Sequence, residues 1–157
     1  MAVYTYGANN ISFSSFDSWS NQFSSDSNIS LNTLMDNIEP ADTAPHQVSE
    51  LRNNEFLYGD VEADGSGTVE VTTGYSGQGA TTSFQLKNVN FNSVSSVVLT
   101  ANCTYPNYLE GWYSGIGGTG TLLANYDEPA TTGTLTLTST TFTGVTVFYA
   151  YFVNAHA

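Results

Sequence analysis

An alternation of apolar and polar residues begins near Glu55 and continues almost to the end of the chain. In residues 68–72, Val69 and Val71 alternate with Thr and Glu, and in 133–139 Leu135 and Leu137 alternate with Thr. A period of two is that of a strand with one buried face. The pattern predicts strands at 55–62, 68–72, 83–87, 94–101, 119–125, 133–139 and 145–153, with an aromatic segment at 105–113.

The last of these segments, 145–153, reads VTVFYAYFV and is apolar or aromatic on both faces. Such a strand is typical of the middle of a sandwich, or of a sheet covered by another subunit. No helical pattern interrupts the strands, which argues against a βαβ fold. We therefore predict that 55–157 is a mainly β domain, an antiparallel β-sandwich or jelly roll of about eight strands.

Residues 1–54 have a different character. Residues 11–14 read ISFS and residues 29–32 read ISLN, and Ser14 and Asn32 are residue types that cap a first helical turn. Phe16, Trp19 and Phe23 then follow at helical spacing. The pattern predicts an N-terminal arm and a short helical module, which ends at the proline-containing linker 39–46.

The repeated ISFS and ISLN unit resembles a module found in structural proteins of tailed bacteriophages, especially cyanophages. There the unit often follows a Gly-Ala or Gly-Asn pair, and in this chain it follows residues 7–10, which read GANN. The resemblance covers residues 11–38, and this chain departs from the pattern at two places. Ser24-Ser25 stands where the family has Gly-Gly, and Met35 replaces an aromatic residue.

The resemblance implies a virion component, and the alternative is a capped helical hairpin packed on an unrelated β-domain. On the first interpretation, apolar side chains of the module would dock the protein on its neighbours. These predicted assembly residues are Phe13, Phe16, Trp19, Phe23, Ile29, Leu31 and Leu34.

The formal net charge is −12, and Arg52 and Lys87 are the only strong cations. Binding to nucleic acid or to an anionic membrane is therefore not expected, because both need clustered Lys and Arg. Ten of the 14 acidic residues precede residue 65. A basic partner surface for the N-terminal part would fit this asymmetry, but simple solubility is the favoured explanation.

Cys103 is the only cysteine, so the chain has no intrachain disulfide. We find no signal peptide and no apolar run of membrane-spanning length. The expected location is a virion, assembled from protein made in the host cytoplasm.

Tyr105, Tyr108, Trp112 and Tyr113 lie close together in the sequence. Aromatic faces beside amide and carboxylate groups could form a platform for a host glycan, in a carbohydrate-binding or receptor-binding domain. The alternative is that these rings pack in the core or at a subunit contact, because aromatic side chains dominate burial.

Metal binding and catalysis have little support. Residues 60–65 (DVEADG) begin like a calcium loop, but position twelve is Val71, so a hairpin with an Asp-Gly turn is the simpler interpretation. A dyad of Cys103 with His46 or His156 would be an arbitrary pairing, and the glycine-rich 115–120 lacks the Lys of a phosphate cradle. No catalytic residue, metal or cofactor is predicted.

The sequence thus predicts a non-enzymatic virion structural protein, either a tail, neck or fibre component or a capsid decoration (cement) protein. Its partners would be other virion proteins and further copies of itself, with a trimer favoured by analogy. The alternative is a glycan-binding β-domain.

Overall fold

The computed structural model describes residues 2–5, 55–75, 79–127, 129–141, 145 and 147–156. The predicted helical module and the seven predicted assembly residues lie outside these residues. The described part is mainly β and holds nine strands in two sheets. It contains no helix long and apolar enough to cross a membrane.

The nine strands follow one another along the chain with short connections after residue 55. They are β1 (Ala2–Thr5), β2 (Glu55–Asp64), β3 (Gly67–Thr73), β4 (Ser83–Asn90), β5 (Val97–Cys103), β6 (Asn107–Gly115), β7 (Thr119–Asn125), β8 (Thr132–Leu137) and β9 (Val147–Asn154). Eight of them lie in the predicted β domain, as the alternation indicated.

The larger sheet, sheet A, is organised around β2 and β9. Strand β4 pairs with β2, and β9, β6 and β7 follow in that order on the other side. The first half of β2 pairs with β1 and its second half pairs with β9, so β1 and β9 share one edge of β2. The smaller sheet, sheet B, has the order β3-β5-β8.

The pairing of β2 with β9 is parallel, which corrects the prediction of a purely antiparallel arrangement. The other strand pairs in the described part are antiparallel. The prediction failed because alternation determines which face a strand buries, and contains no information about the direction of its neighbour.

Buried apolar side chains from both sheets form one cluster. Leu57 and Val61 of β2 and Phe148 of β9 belong to it from sheet A, and Leu99 of β5 and Leu137 of β8 from sheet B. The sheets also meet at one corner, where the backbones of Val69 and Thr81 exchange two hydrogen bonds.

Two local predictions are resolved by this topology. The doubly apolar last strand occupies a central place, with β2 on one side and β6 on the other. The Asp-Gly turn is present, with Gly65 at φ 108°, but it does not close a hairpin. It instead connects β2 of sheet A to β3 of sheet B.

Gly133 of β8 is a close-packed position. A Cβ atom there would lie 2.5 Å from Leu109 Cδ2 and 2.5 Å from the Tyr126 ring. The Tyr126 hydroxyl also donates a hydrogen bond to the Thr134 carbonyl, which fixes the ring beside β8. A side chain at position 133 therefore cannot be accommodated without displacing the core.

We expect Gly133→Ala to lower the free energy of unfolding by about 1–3 kcal/mol, the usual cost of overpacking a core. Urea denaturation followed by circular dichroism measures this change. Gly79→Ala is the matched control, because a Cβ there meets no atom within 4 Å. Equal stability of the two variants would contradict the packing described here.

Candidate interaction surface

The face of sheet A that points away from the core carries a cluster of carboxylates and tyrosines. We call it the acid–tyrosine face and define it as Asp60, Glu62 and Asp64 of β2, Glu110 and Tyr113 of β6, and Tyr149 and Tyr151 of β9. All seven side chains are partly exposed. Their neighbours Val61, Trp112, Phe148 and Ala150 point to the other side, into the core.

Strand register brings these residues together from distant parts of the chain. Glu62 pairs with Tyr149, and Tyr149 pairs in turn with Tyr113. Asp64 pairs with Tyr151 in the next row. Side chains on one face of paired strands lie within contact distance, so carboxylates of β2 border tyrosines of β9.

The tyrosine rings contact one another and the acids. Tyr113 and Tyr151 meet edge to face, with ring centroids 6.0 Å apart. The Tyr113 hydroxyl donates a hydrogen bond of 3.3 Å to Glu110 Oε1. Glu110 is the extra residue of a β-bulge opposite β9, and a bulge of this kind redirects a side chain.

The turn between β6 and β7 borders this surface. The Gly117 N–H donates a hydrogen bond to Asp64 Oδ2, and Gly118 lies against the Tyr151 ring. A Cβ at Gly118 would be 2.9 Å from that ring, and φ there is +66°. Within the glycine-rich 115–120, residues 116–118 form a tight turn between β6 and β7, and Ile116 on it is 64% exposed.

The carboxylates change the acidity of the tyrosines. The pKa of Tyr149 is raised by partial burial and then by the negative charges of Glu62, Asp64 and Asp60. The pKa of Tyr113 is raised by partial burial, by the charge of Glu110 and by its hydrogen bond to Glu110, with a further contribution from Tyr151. Both hydroxyls therefore stay neutral donors at physiological pH.

The predicted glycan platform does not form as one surface. Trp112 is fully buried in the core cluster, so its ring cannot meet a ligand. Tyr108 and Tyr113 are partly exposed on β6, whereas Tyr105 precedes that strand and is 68% exposed. Trp112 alternates with Tyr113 along β6, so the two side chains point to opposite faces.

The described residues considered for catalysis or metal binding make other contacts. The Cys103 thiol donates a hydrogen bond to the Asn107 carbonyl, and burial raises its pKa, so it is a neutral thiol. The His156 ring contacts Tyr105, with Nε2 3.1 Å from the hydroxyl. His46 lies outside the described residues. Among those described, no group of three or more His, Cys, Asp or Glu could hold a metal ion.

Comparison with known proteins gives no relative for this chain: no family model, curated protein or solved structure matches it. The residues Tyr149 and Tyr151 were not singled out by sequence reasoning as part of a site. The sequence feature that could have identified part of this site is the alternation of Asp60, Glu62 and Asp64, because residues two apart in a strand lie on one face.

We expect the Tyr149 pKa to fall towards its ordinary value of 10.0 when Asp60→Asn, Glu62→Gln and Asp64→Asn are combined. The physical reason is that the three charges disfavour the phenolate. The pKa is measured from the ring ¹³C shift during an NMR titration. Glu70→Gln, on sheet B, is the control and should leave it unchanged.

The same raised pKa has a consequence for stability. Above the ordinary tyrosine pKa of 10.0, the unfolded chain loses the Tyr149 proton more readily than the folded chain does. Stability therefore falls as pH rises through that range, and the fall is smaller in the triple variant. A Tyr149 pKa that does not respond to the triple substitution would contradict the assignment.

Proposed function

We propose that this chain is a non-enzymatic structural protein of a bacteriophage particle, which assembles against a basic surface of neighbouring virion proteins. The observation that carries the proposal is the acid–tyrosine face, a sheet surface on which carboxylates of β2 lie in regular order beside tyrosines of β9. The ISFS and ISLN resemblance of residues 11–38 supports the assignment to a phage particle.

We infer that the two sheets are the layers of a β-sandwich, because side chains from both enter one core cluster. Thr5 and Glu55, the described residues that flank 6–54 in the chain, are paired in sheet A. Both ends of the predicted docking module are therefore held at one place on the β domain. The strand β1 belongs with that domain, and the docking module is confined to the segment between β1 and β2.

The charge of the chain determines the kind of neighbour that it can accept. With a net charge of −12, two copies repel each other wherever their acidic faces approach. A partner bearing Lys or Arg gains both ion pairs with Asp60, Glu62 and Asp64 and stacking contacts with the tyrosine rings. The proposed partners are basic virion proteins, with no role for nucleic acid or membrane.

Two positions in the particle fit this proposal. One is the tail, neck or fibre apparatus, to which the module points by resemblance. The other is the outside of the capsid, where a small acidic β domain would serve as a decoration or cement protein. Quantitative mass spectrometry of purified particles separates them, because a shell protein is present in hundreds of copies and a tail protein in a few dozen at most.

Association with further copies, with a trimer favoured, is also part of the proposal. The surroundings of β9 change the argument for this association. The second face of β9 is already bordered by β2 carboxylates and by the β6–β7 turn, so the apolar pattern of β9 alone does not require a subunit contact. Contacts between copies would instead depend on residues 6–54.

We expect Trp19→Ala to release the protein from particles while its β domain stays folded, because the predicted docking energy comes from burial of apolar side chains in the module. Particle-bound protein is quantified after sedimentation, and folding by circular dichroism. The control is Thr136→Ala, an exposed position of β8. Unfolding of the free Trp19→Ala protein would show that the module is part of the core.

We expect the triple variant Asp60→Asn, Glu62→Gln, Asp64→Asn to bind protein-depleted particles about tenfold more weakly at low salt, since an exposed ion pair contributes roughly 0.5 kcal/mol. The difference should shrink at high salt, where these charges are screened. Co-sedimentation of labelled protein measures the affinity.

The control removes two negative charges elsewhere, by combining Glu70→Gln with Asp127→Asn. If this control weakens binding as much as the triple variant does, the effect is one of net charge and the acid–tyrosine face is not the contact surface.

A further inference from the structure

A cleft of about 540 Å³ opens beside the start of β3 and the end of β5. Its walls are the corner between β2 and β3 (residues 65–68), Thr82 before β4, and residues 102–104 at the end of β5. The volume lies within the range of small-molecule sites, roughly 300–1,000 Å³. We call it the hydroxyl cleft, after the side chains that line it.

Close packing against β9 holds one wall of the hydroxyl cleft in place. A Cβ at Gly65 would be 2.5 Å from the Phe152 carbonyl oxygen, and one at Gly67 would be 2.4 Å from the Phe152 ring. The Gly65 backbone, with φ at +108°, also has a conformation that other residues rarely adopt. The corner is thus preorganised, which lowers the entropic cost of binding.

The walls offer neutral hydrogen-bonding groups. Ser66, Thr68, Thr82 and Thr104 contribute four hydroxyls, each able to donate and to accept. The Asn102 amide is oriented by two contacts of 3.0 Å, from its Nδ2 to Glu70 Oε1 and from Thr132 Oγ1 to its Oδ1. An amide has two N–H groups and two lone pairs, so Asn102 keeps one donor and one acceptor beyond these contacts.

The chemistry of these walls selects the ligand. None of the described residues that line the hydroxyl cleft is Lys, Arg, His, Asp or Glu, so neither an anion nor a cation meets a counter-charge from them. A neutral ligand that carries many hydroxyls matches the lining, because hydroxyl donors and acceptors can exchange roles.

We propose that the hydroxyl cleft binds one or two residues of a neutral saccharide. Tyr105 follows Thr104 directly in the chain and is 68% exposed, with its ring edge to face with that of His156. This site differs from the four-ring platform suggested by the sequence, since Trp112 is buried and Tyr113 belongs to the acid–tyrosine face. Recognition here depends on hydroxyls from three separate segments of the chain.

The test uses the full chain and immobilised neutral oligosaccharides of glucose, galactose, mannose and N-acetylhexosamines. We expect binding by the wild type and an affinity about tenfold lower in the double variant Thr82→Val, Thr104→Val, which removes two hydroxyls with little change of shape. The control is Thr136→Val, another exposed threonine, which does not line the cleft. It should bind like the wild type.

A second measurement keeps the test decisive if the double variant folds poorly. Saccharide added to ¹⁵N-labelled wild-type protein should shift the amide signals of 65–68, 82 and 102–104. Absence of binding to every neutral saccharide would overturn the proposal. Amide shifts confined to other residues would also overturn it, as would an equal loss of saccharide affinity in the Thr136→Val control. The same holds if Tyr105→Ala abolishes binding while the double threonine variant binds normally.

Discussion

The parallel pairing of β2 with β9 is the contact on which the rest of the domain depends. It joins a strand from the start of the β region to the last strand, and β9 then carries β6 and β7. Both strands contribute fully buried side chains, Val61 from β2 and Phe148 and Ala150 from β9. Such a contact between distant segments forms only after a large loop has closed, so its cost in chain entropy must be offset by the core that it completes.

The same pairing creates the acid–tyrosine face. In β2, the residues that alternate with the core side chains are acidic. In β9, the residues in the same positions are tyrosines, so the strand register places carboxylates beside phenol rings. A surface of this composition keeps its charges partly exposed while offering apolar area. This combination suits a contact with a basic protein surface and discourages contact between identical acidic copies.

The domain therefore presents two chemically different regions. The outer side of sheet A is acidic and aromatic, whereas the corner between the sheets is neutral and rich in hydroxyls. A glycine that packs closely against an aromatic ring lies beside each of these two regions. Gly118 allows the β6–β7 turn to lie against Tyr151, and Gly67 allows the β2–β3 corner to lie against Phe152. In both places a side chain would displace an aromatic ring, which explains why the chain has glycine there.

The amino-acid sequence by itself predicted a mainly β domain and the places of seven of its strands, because the period and polarity of a segment indicate which of its faces are buried. It left open whether β9 is central in the fold or covered by another subunit. It predicted Asp60 and Glu62 in a strand but assigned Asp64 to an Asp-Gly turn. Only the tertiary structure decided that β2 runs parallel to β9, that Trp112 is in the core, and that Tyr149 and Tyr151 border the carboxylates. Register and strand order arise from packing between distant segments, and local alternation contains no information about them.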